Sequence, residues 1–317
     1  MEFTFAVEYF TIKGSLFLAF VAHQNSTNAC SIYKLSDSTR KFFLYQTLHI
    51  KGLEWDVKYF TISDEHYLAV ADLSTQPVIY LWNGQLFTPF ENIASSTVKF
   101  SFFTVDKEPY LAVSIISPIY QCIIYKWKNN TFEKFQVIGG TCSIQAFIID
   151  NETYFAQAGG DFLQRQSVVY KWSGESFSKL QTLPPAREVE FFNINEQVFL
   201  ALGSQKVNTN SYIYKWEGNR FILFQSISTL GSLVSCVRSF VMCGQMFLGF
   251  TEWQNEKFTL YRFSLDKFTK YQEISTFGPK DMTLFEYKGY TYLAIANFGN
   301  RTQRSTKSTL YKWTTGM

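Results

Sequence analysis

The chain has 317 residues, a net charge of +3 and 46% hydrophobic residues, among them 33 phenylalanines and 19 tyrosines. The charge is scattered along the chain with no basic block, which argues against nucleic acid as a partner. No apolar run approaches the roughly 18–20 residues of a membrane-spanning helix, so no membrane insertion is expected.

The predicted elements are short strands from the first residues onward. The opening unit, 6–50, reads as strands near 6–12, 16–22, 31–35 and 42–50. The unit 56–93 shows the pattern most cleanly, as VKYFTI, HYLAVAD, VIYLW and LFTPFENI. Such aromatic and β-branched residues suit a pleated, half-buried surface. Ser63-Asp64 and Asn83-Gly84 read as tight turns, the second as a two-residue hairpin. Equivalent units follow at 99–138, 143–183, 188–227, 236–274 and 281–313.

Two markers set the register. An aromatic pair seven residues apart recurs as Phe10/Phe17, Phe60/Tyr67, Phe103/Tyr110, Phe147/Tyr154, Phe192/Phe199, Phe240/Phe247 and Phe285/Tyr292. A third-strand tyrosine recurs as Tyr33, Tyr80, Tyr125, Tyr170, Tyr214, Tyr261 and Tyr311, usually followed by Lys-Trp. A period of roughly 46 residues with four strands per unit is the signature of propeller blades. A solenoid would show shorter repeats. The expected fold is therefore all-β: one seven-bladed propeller of four-stranded antiparallel blades, whose abundant large rings pack blade on blade. Blade 7 is expected to have three strands, because the sequence stops at Thr-Thr-Gly-Met and the fourth-strand element FxxFQxI is missing from this C-terminus. The few residues ahead of Phe10 cannot both form an outer strand and reach the axis. Closure then rests on packing of blade 7 against blade 1.

The pattern F-T-I-x(4–5)-Y-L-A-V-A…I-Y-K-W-x-G-x-x-F-x-x-F-Q-x-I resembles the EAR, or EPTP, repeat. It runs through essentially the whole chain. Blades 2 and 5 fit best, and blade 6 departs most, with Cys236, Cys243 and Arg262-Phe263 where the pattern wants other types. That repeat builds the propeller of leucine-rich glioma-inactivated proteins and of thrombospondin-type laminin G domain and EAR repeat proteins. The resemblance implies a binding module that grips receptor ectodomains at the channel mouth. It carries no individual contact residues, since that surface lies outside the motif.

The five cysteines, Cys30, Cys122, Cys142, Cys236 and Cys243, fit neither a disulfide framework nor a zinc pattern. Four N-x-Ser/Thr sequons, at Asn25, Asn129, Asn151 and Asn300, lean towards a secreted glycoprotein. The N-terminal MEFTFAVEYF reads as strand, with no secretory signal visible.

Polar positions of the first strands converge on one axis. Two residues before each marker stand Glu8, Lys58, Ser101, Gln145, Glu190, Arg238 and Thr283. Four residues before it stand Ala6, Asp56, Lys99, Ser143, Glu188, Cys236 and Asp281. Opposite charges in neighbouring blades imply ion pairs that lock the channel. The alternative reading is a hard-cation site, with Asp56, Glu188 and Asp281 offering carboxylate oxygens to Ca²⁺ at equivalent heights.

Catalysis finds little support. His23, His49 and His66 fall at unrelated repeat positions, His66 being read as a solvated turn residue, and no nucleophile–base set follows from the register. The tryptophans after the third strands (Trp82, Trp127, Trp172, Trp216, Trp313) read as blade packing. Trp55 and Trp253 lie outside that position and are candidate binding residues, as are Arg301, Arg304 and Lys307 in the loop 298–308. Loops 24–29, 115–121, 160–166 and 204–210 vary alongside it, and recognition concentrates in such loops. The leading expectation is a non-enzymatic extracellular module that binds a protein ectodomain. A glycan-binding propeller and an enzyme acting on a small molecule at the channel mouth are the alternatives.

Overall fold

Seven times among the described residues, the first two strands of a repeat unit meet at a two-residue turn in which both residues take positive φ. These are Lys13-Gly14, Ser63-Asp64, Asp106-Lys107, Asp150-Asn151, Asn195-Glu196, Cys243-Gly244 and Lys288-Gly289. That backbone matches the right-handed twist of the strands it joins, so each turn starts a hairpin. The computed structural model describes residues 3–22, 29–49, 54–73, 77–94, 96–117, 120–140, 143–159, 165–204, 206, 208–229, 233–299 and 306–313. Among these the hairpins grow into seven antiparallel meanders, six of four strands and a last one of three. The blades span 4–49, 54–92, 97–139, 144–183, 188–227, 234–275 and 279–312.

The first strands form the inner ring. They are Thr4–Ile12, Glu54–Ile62, Thr97–Val105, Ile144–Ile149, Glu188–Ile194, Val234–Met242 and Pro279–Tyr287. Each packs against the first strand of the next blade, and the last packs against the first. The fold is a seven-bladed β-propeller with its seventh blade three-stranded. No helix among the described residues is long and apolar enough to cross a membrane.

Every marker pair is a cross-strand pair of strands one and two, from Phe10↔Phe17 to Phe285↔Tyr292. The rings stack nearly parallel, as Phe60 on Tyr67 at 5.5 Å and 9°. The hydrophobic core is divided into seven clusters, one in each cleft between adjacent blades. A single blade therefore has no core of its own, and the ring is the smallest unit that buries these faces.

One turn differs from its sequence reading. Asn83-Gly84 is not a two-residue hairpin but part of a four-residue loop between Trp82 and Phe87. The Asn83 side chain accepts hydrogen bonds from the Gln85 and Leu86 N–H groups, and only Gly84 takes positive φ, at 102°. The side chain substitutes for a backbone turn. His66 also departs from the solvated turn residue that was expected. It lies in strand two of blade 2, half-buried, with Nδ1 2.6 Å from the Tyr59 hydroxyl. Cys30, Cys122 and Cys236 are buried, and Cys243 is exposed. Cys142 lies outside the described residues.

The outer strands are joined by a repeated clamp. The side-chain amide of Gln181 accepts from the Phe221 N–H at 2.7 Å and donates to the Phe221 carbonyl at 2.8 Å. Gln46 holds Phe87 in the same way, Gln136 holds Phe177, and Gln225 holds Phe268. Glu91 takes the place in blade 2 and accepts from the Phe132 N–H. Each clamp ties a fourth strand to the fourth strand of the next blade. Gln181→Ala is expected to lower stability by about 1–3 kcal/mol, since it leaves the half-buried Phe221 peptide groups unpaired. Gln272→Ala, at the equivalent position in blade 6, should leave the denaturation midpoint unchanged, because Gln272 is exposed and grips no following strand among the described residues.

Blades 7 and 1 close the ring without sharing a sheet. Val7, Leu16 and Leu18 pack against Phe285, Ala294 and Ala296. Tyr9 stacks on Phe285 at 5.5 Å, and the Thr4 hydroxyl donates to the Asn297 carbonyl at 3.1 Å. The exposed Asp37 carboxylate accepts from both Tyr287 and Lys288.

Candidate functional site

Extended strands of one direction around a ring bring equivalent positions to equal heights, and the channel is lined in this way. At the first level Lys58 pairs with Glu8 at 2.6 Å, and Arg238 lies 3.9 Å from Glu190. Acceptors at this level also staple three inner strands to their neighbours. Glu8 takes the Tyr59 N–H, Gln145 the Phe191 N–H, and Glu190 the Ser239 N–H. At the second level Asp56 accepts from the Phe100 N–H at 2.8 Å, and Asp281 from the Val7 N–H at 3.1 Å. The cavity enclosed between these side chains has a volume of about 320 Å³.

The electrostatics follow from burial and alternating sign. Burial pushes the Asp56 carboxyl up to about 6, against Lys99 at 3.4 Å and the Phe100 N–H. Burial likewise lifts Glu190, with Arg238 and Ser239 opposing. For Asp281 burial works upward too, but Lys99, Arg238 and the Val7 N–H outweigh it and hold this carboxyl below its ordinary value. Burial works against the Lys99 ammonium, yet Asp56, Glu188 and Asp281 together hold it well above the usual lysine value.

The Ca²⁺ site expected from Asp56, Glu188 and Asp281 does not assemble. Lys99 stands 3.4 Å from Asp56, and the charges of Glu188 and Asp281 act on it as well. Arg238 stands 3.4 Å from Asp281, and the Ser143 hydroxyl donates to Glu188 at 3.1 Å. Among the described residues no three acidic, histidine or cysteine side chains come close enough together to hold a metal ion.

A second cavity, of about 180 Å³, opens at the mouth where the first strands begin. It shares Lys99 and Asp281 with the channel below, and its wall includes Phe5, Trp55, Tyr120, Arg187 and Lys280. Phe5 stacks on Trp55 at 5.3 Å and 18°, and meets Phe298 at 4.4 Å. Lys280 lies over the Trp253 ring, 3.9 Å from its centre, with Phe298 at 5.6 Å and Phe5 at 5.9 Å. Burial, with Arg187 adding to it, pulls the Lys280 amine down to about 7, while the face of Trp253 favours the charged form. Trp253 is fixed by donation from Nε1 to the Gly299 carbonyl at 3.3 Å. Beside it, Gly278 has a φ of +60°, and a Cβ there would stand 2.1 Å from the Gly299 oxygen.

Residues 41–83, 86–128, 176–217 and 267–314 match the EPTP domain, which is more than half of the chain. The chain belongs to the EPTP domain family. Each matched segment of this EPTP propeller starts at a fourth strand and ends after the third strand of the next blade. The sequence repeat is thus offset by one strand from the structural blade, and every matched unit spans a blade boundary. A mouse (Mus musculus) thrombospondin-type laminin G domain and EAR repeat-containing protein is 32% identical over 119 residues. That match takes in 33% of this chain and 18% of the mouse protein, so the chain covers a small part of its relative's length. A crystal structure of a protein from Lactobacillus plantarum superposes with a TM-score of 0.64 at 14% identity, over 86% of this chain and 85% of that one. It shares the fold.

In the EPTP propeller Trp55 and Trp253 both reach the mouth, one stacked on Phe5 and the other beneath Lys280. Lys307 is exposed, and its carbonyl accepts from Asn297. Arg301 and Arg304 lie outside the described residues. The repeated tryptophans serve packing, as Trp82 does edge-on to Phe87 at 5.1 Å. Phe5, Phe298, Arg187 and Lys280 were not singled out in the sequence. Their signal was available: they are large or charged residues just outside the repeat markers, at the beginnings of first strands or the ends of second strands.

Proposed function

We propose that this EPTP propeller is a non-enzymatic extracellular recognition module that binds another protein, a receptor or adhesion ectodomain, through the channel mouth and the loops between strands two and three. The reading is carried by the aromatic cluster of Phe5, Trp55, Trp253 and Phe298 around Lys280. None of these rings occupies a blade-packing position of the repeat. Aromatic anchors beside cations, on a rigid rim, have the composition of a protein-binding hot spot. The sequons at Asn129 and Asn151 support the extracellular part of the reading. Both residues are exposed and sit in turns on the face away from the mouth, where glycans would leave the mouth clear.

The test is an ectodomain-library and glycan-array screen with the intact chain, followed by Trp55→Ala and Trp253→Ala. A true ectodomain partner should lose about tenfold or more in affinity with either variant, and Lys179→Glu on an outer strand should leave binding unchanged. Hits that ignore both tryptophans would remove the mouth from consideration. Repeatable sugar hits without protein hits would replace the reading with a lectin.

A further inference from the structure

The mouth end of the inner ring is built on β-bulges. In blades 1, 3, 6 and 7 one residue of the first strand has no counterpart on the second strand: Phe5, Val98, Ser235 and Lys280. In blade 2 Trp55 and Asp56 together face the single residue Ala71. Phe5, Trp55, Val98, Ser235 and Lys280 each stand five residues before their marker, where blade 5 has Arg187. Blade 4 has Cys142 there, outside the described residues. Strict alternation would send neighbours on a strand to opposite faces of the blade, and a bulge re-aims one of them. Lys280 and Asp281 accordingly both border the mouth cavity, as do Val98 and Lys99, and Arg187 and Glu188.

This level carries cations and no carboxylate, unlike the two levels below it. Phe5, Trp55 and Val98 give blades 1 to 3 an apolar wall, and Arg187, Ser235 and Lys280 give blades 5 to 7 a polar one. The channel cations below are paired, Lys58 with Glu8, Lys99 with Asp56 and Arg238 with Asp281. Neither Arg187 nor Lys280 has an ion-pair partner among the described residues. Glu188 and Asp281 border the same cavity, but Glu188 is engaged by the Ser143 hydroxyl, and Asp281 by the Val7 N–H and Arg238. Lys280 is held over Trp253, and the charge of Arg187 acts against its own. Two like charges that face one cavity, one of them half-buried among rings, are stabilised by an anion placed between them. We propose that the mouth cavity binds a small monocarboxylate with a flat apolar body, its carboxylate on Lys280 and Arg187 and its body against Phe5 and Trp55. A dry cavity of about 150 Å³ takes one benzene ring, so the 180 Å³ at the mouth suits one ring with a short acid arm. The inference does not rest on the ectodomain reading, because a free acid needs no partner protein and its failure to bind would leave that reading in place.

The test is isothermal titration calorimetry of the 317-residue chain with 3-phenylpropionate at pH 6.5, where the Lys280 amine is charged. Saturable binding at one site per chain is expected, with the neutral 3-phenylpropanamide bound about tenfold more weakly or worse. That comparison needs no variant. Lys280→Met and Arg187→Met, their folding verified by circular dichroism, should each weaken the acid about tenfold, and Trp55→Ala should weaken acid and amide alike. Lys179→Glu on an outer strand should bind like the parent chain. No saturable binding of the acid, equal binding of acid and amide, or indifference to Lys280→Met would overturn the proposal. Three acidic side chains, Glu2, Glu54 and Asp161, lie outside the described ones. The combined variant Glu2→Gln, Glu54→Gln, Asp161→Asn should bind the acid like the parent chain. An affinity raised about tenfold in that variant would make one of the chain's own carboxylates the occupant and overturn the assignment to a free acid.

Discussion

Phe60→Ala is expected to lower stability by about 3–5 kcal/mol, whereas Phe240→Ala, at the same repeat position, should cost only about 1–2 kcal/mol. Phe60 is enclosed by rings from two blades: Tyr67 at 5.5 Å, Phe102 at 4.5 Å and Phe132 at 6.0 Å. Its removal leaves a cavity that rigid neighbouring sheets cannot collapse to fill. Phe240 stacks on Phe247 at 5.8 Å but borders an open outer groove on its other side. Less surface returns to water and no new enclosed void forms. Denaturant midpoints of the two variants, measured side by side, check the difference. Equal losses would mean that the outer groove closes over Phe240 in solution.

That contrast shows what could be read from the sequence. The marker pairs, the third-strand tyrosines and their spacing led directly to seven blades, because each marker must meet its partner across a two-residue turn. The three-stranded seventh blade followed from counting residues. The charge pattern of the channel was also legible in outline, since residues two and four before each marker share a height. What could not be read was which neighbour each charge would choose. Asp56, Glu188 and Asp281 share a repeat position, but so does Lys99, whose ammonium pairs with Asp56. The outer clamp was hidden in plain view. Gln46, Gln136, Gln181, Gln225 and Gln272 recur at one register of the fourth strands, yet a polar residue on an outer strand reads as solvent-facing until the next blade is in place. The mouth cluster was the hardest to foresee, because Phe5, Trp55, Trp253, Lys280 and Phe298 come from four different blades and none sits at a marker position.

Arg238→Met tests whether the channel charges hold the ring together. The guanidinium lies 3.4 Å from Asp281 and 3.9 Å from Glu190, whose side chains are 8% and 9% exposed. Removing it leaves both carboxylates in the wall with no cation from blade 6. The expected loss at pH 7.5 is about 2–4 kcal/mol, somewhat under the full cost of orphaning a buried charge because Arg238 keeps some contact with water. The pH dependence separates this from a packing defect. Burial already lifts the Glu190 carboxyl above its ordinary value, and losing Arg238 removes the main influence opposing it. Asp281 loses one of the two cations that hold it low. A carboxyl whose folded pKa is raised binds more protons folded than unfolded, so its penalty grows as pH rises through that pKa and fades as pH falls. The gap between Arg238→Met and the parent chain should therefore narrow between pH 7.5 and pH 5, as the orphaned carboxylates take up protons. Arg238→Lys should keep most of the stability, and adding Glu190→Gln to Arg238→Met should restore part of it. A gap that stays constant across this range would assign the loss to packing of the arginine stem, and the ion pairs would then set the spacing of the inner strands without stabilising the ring.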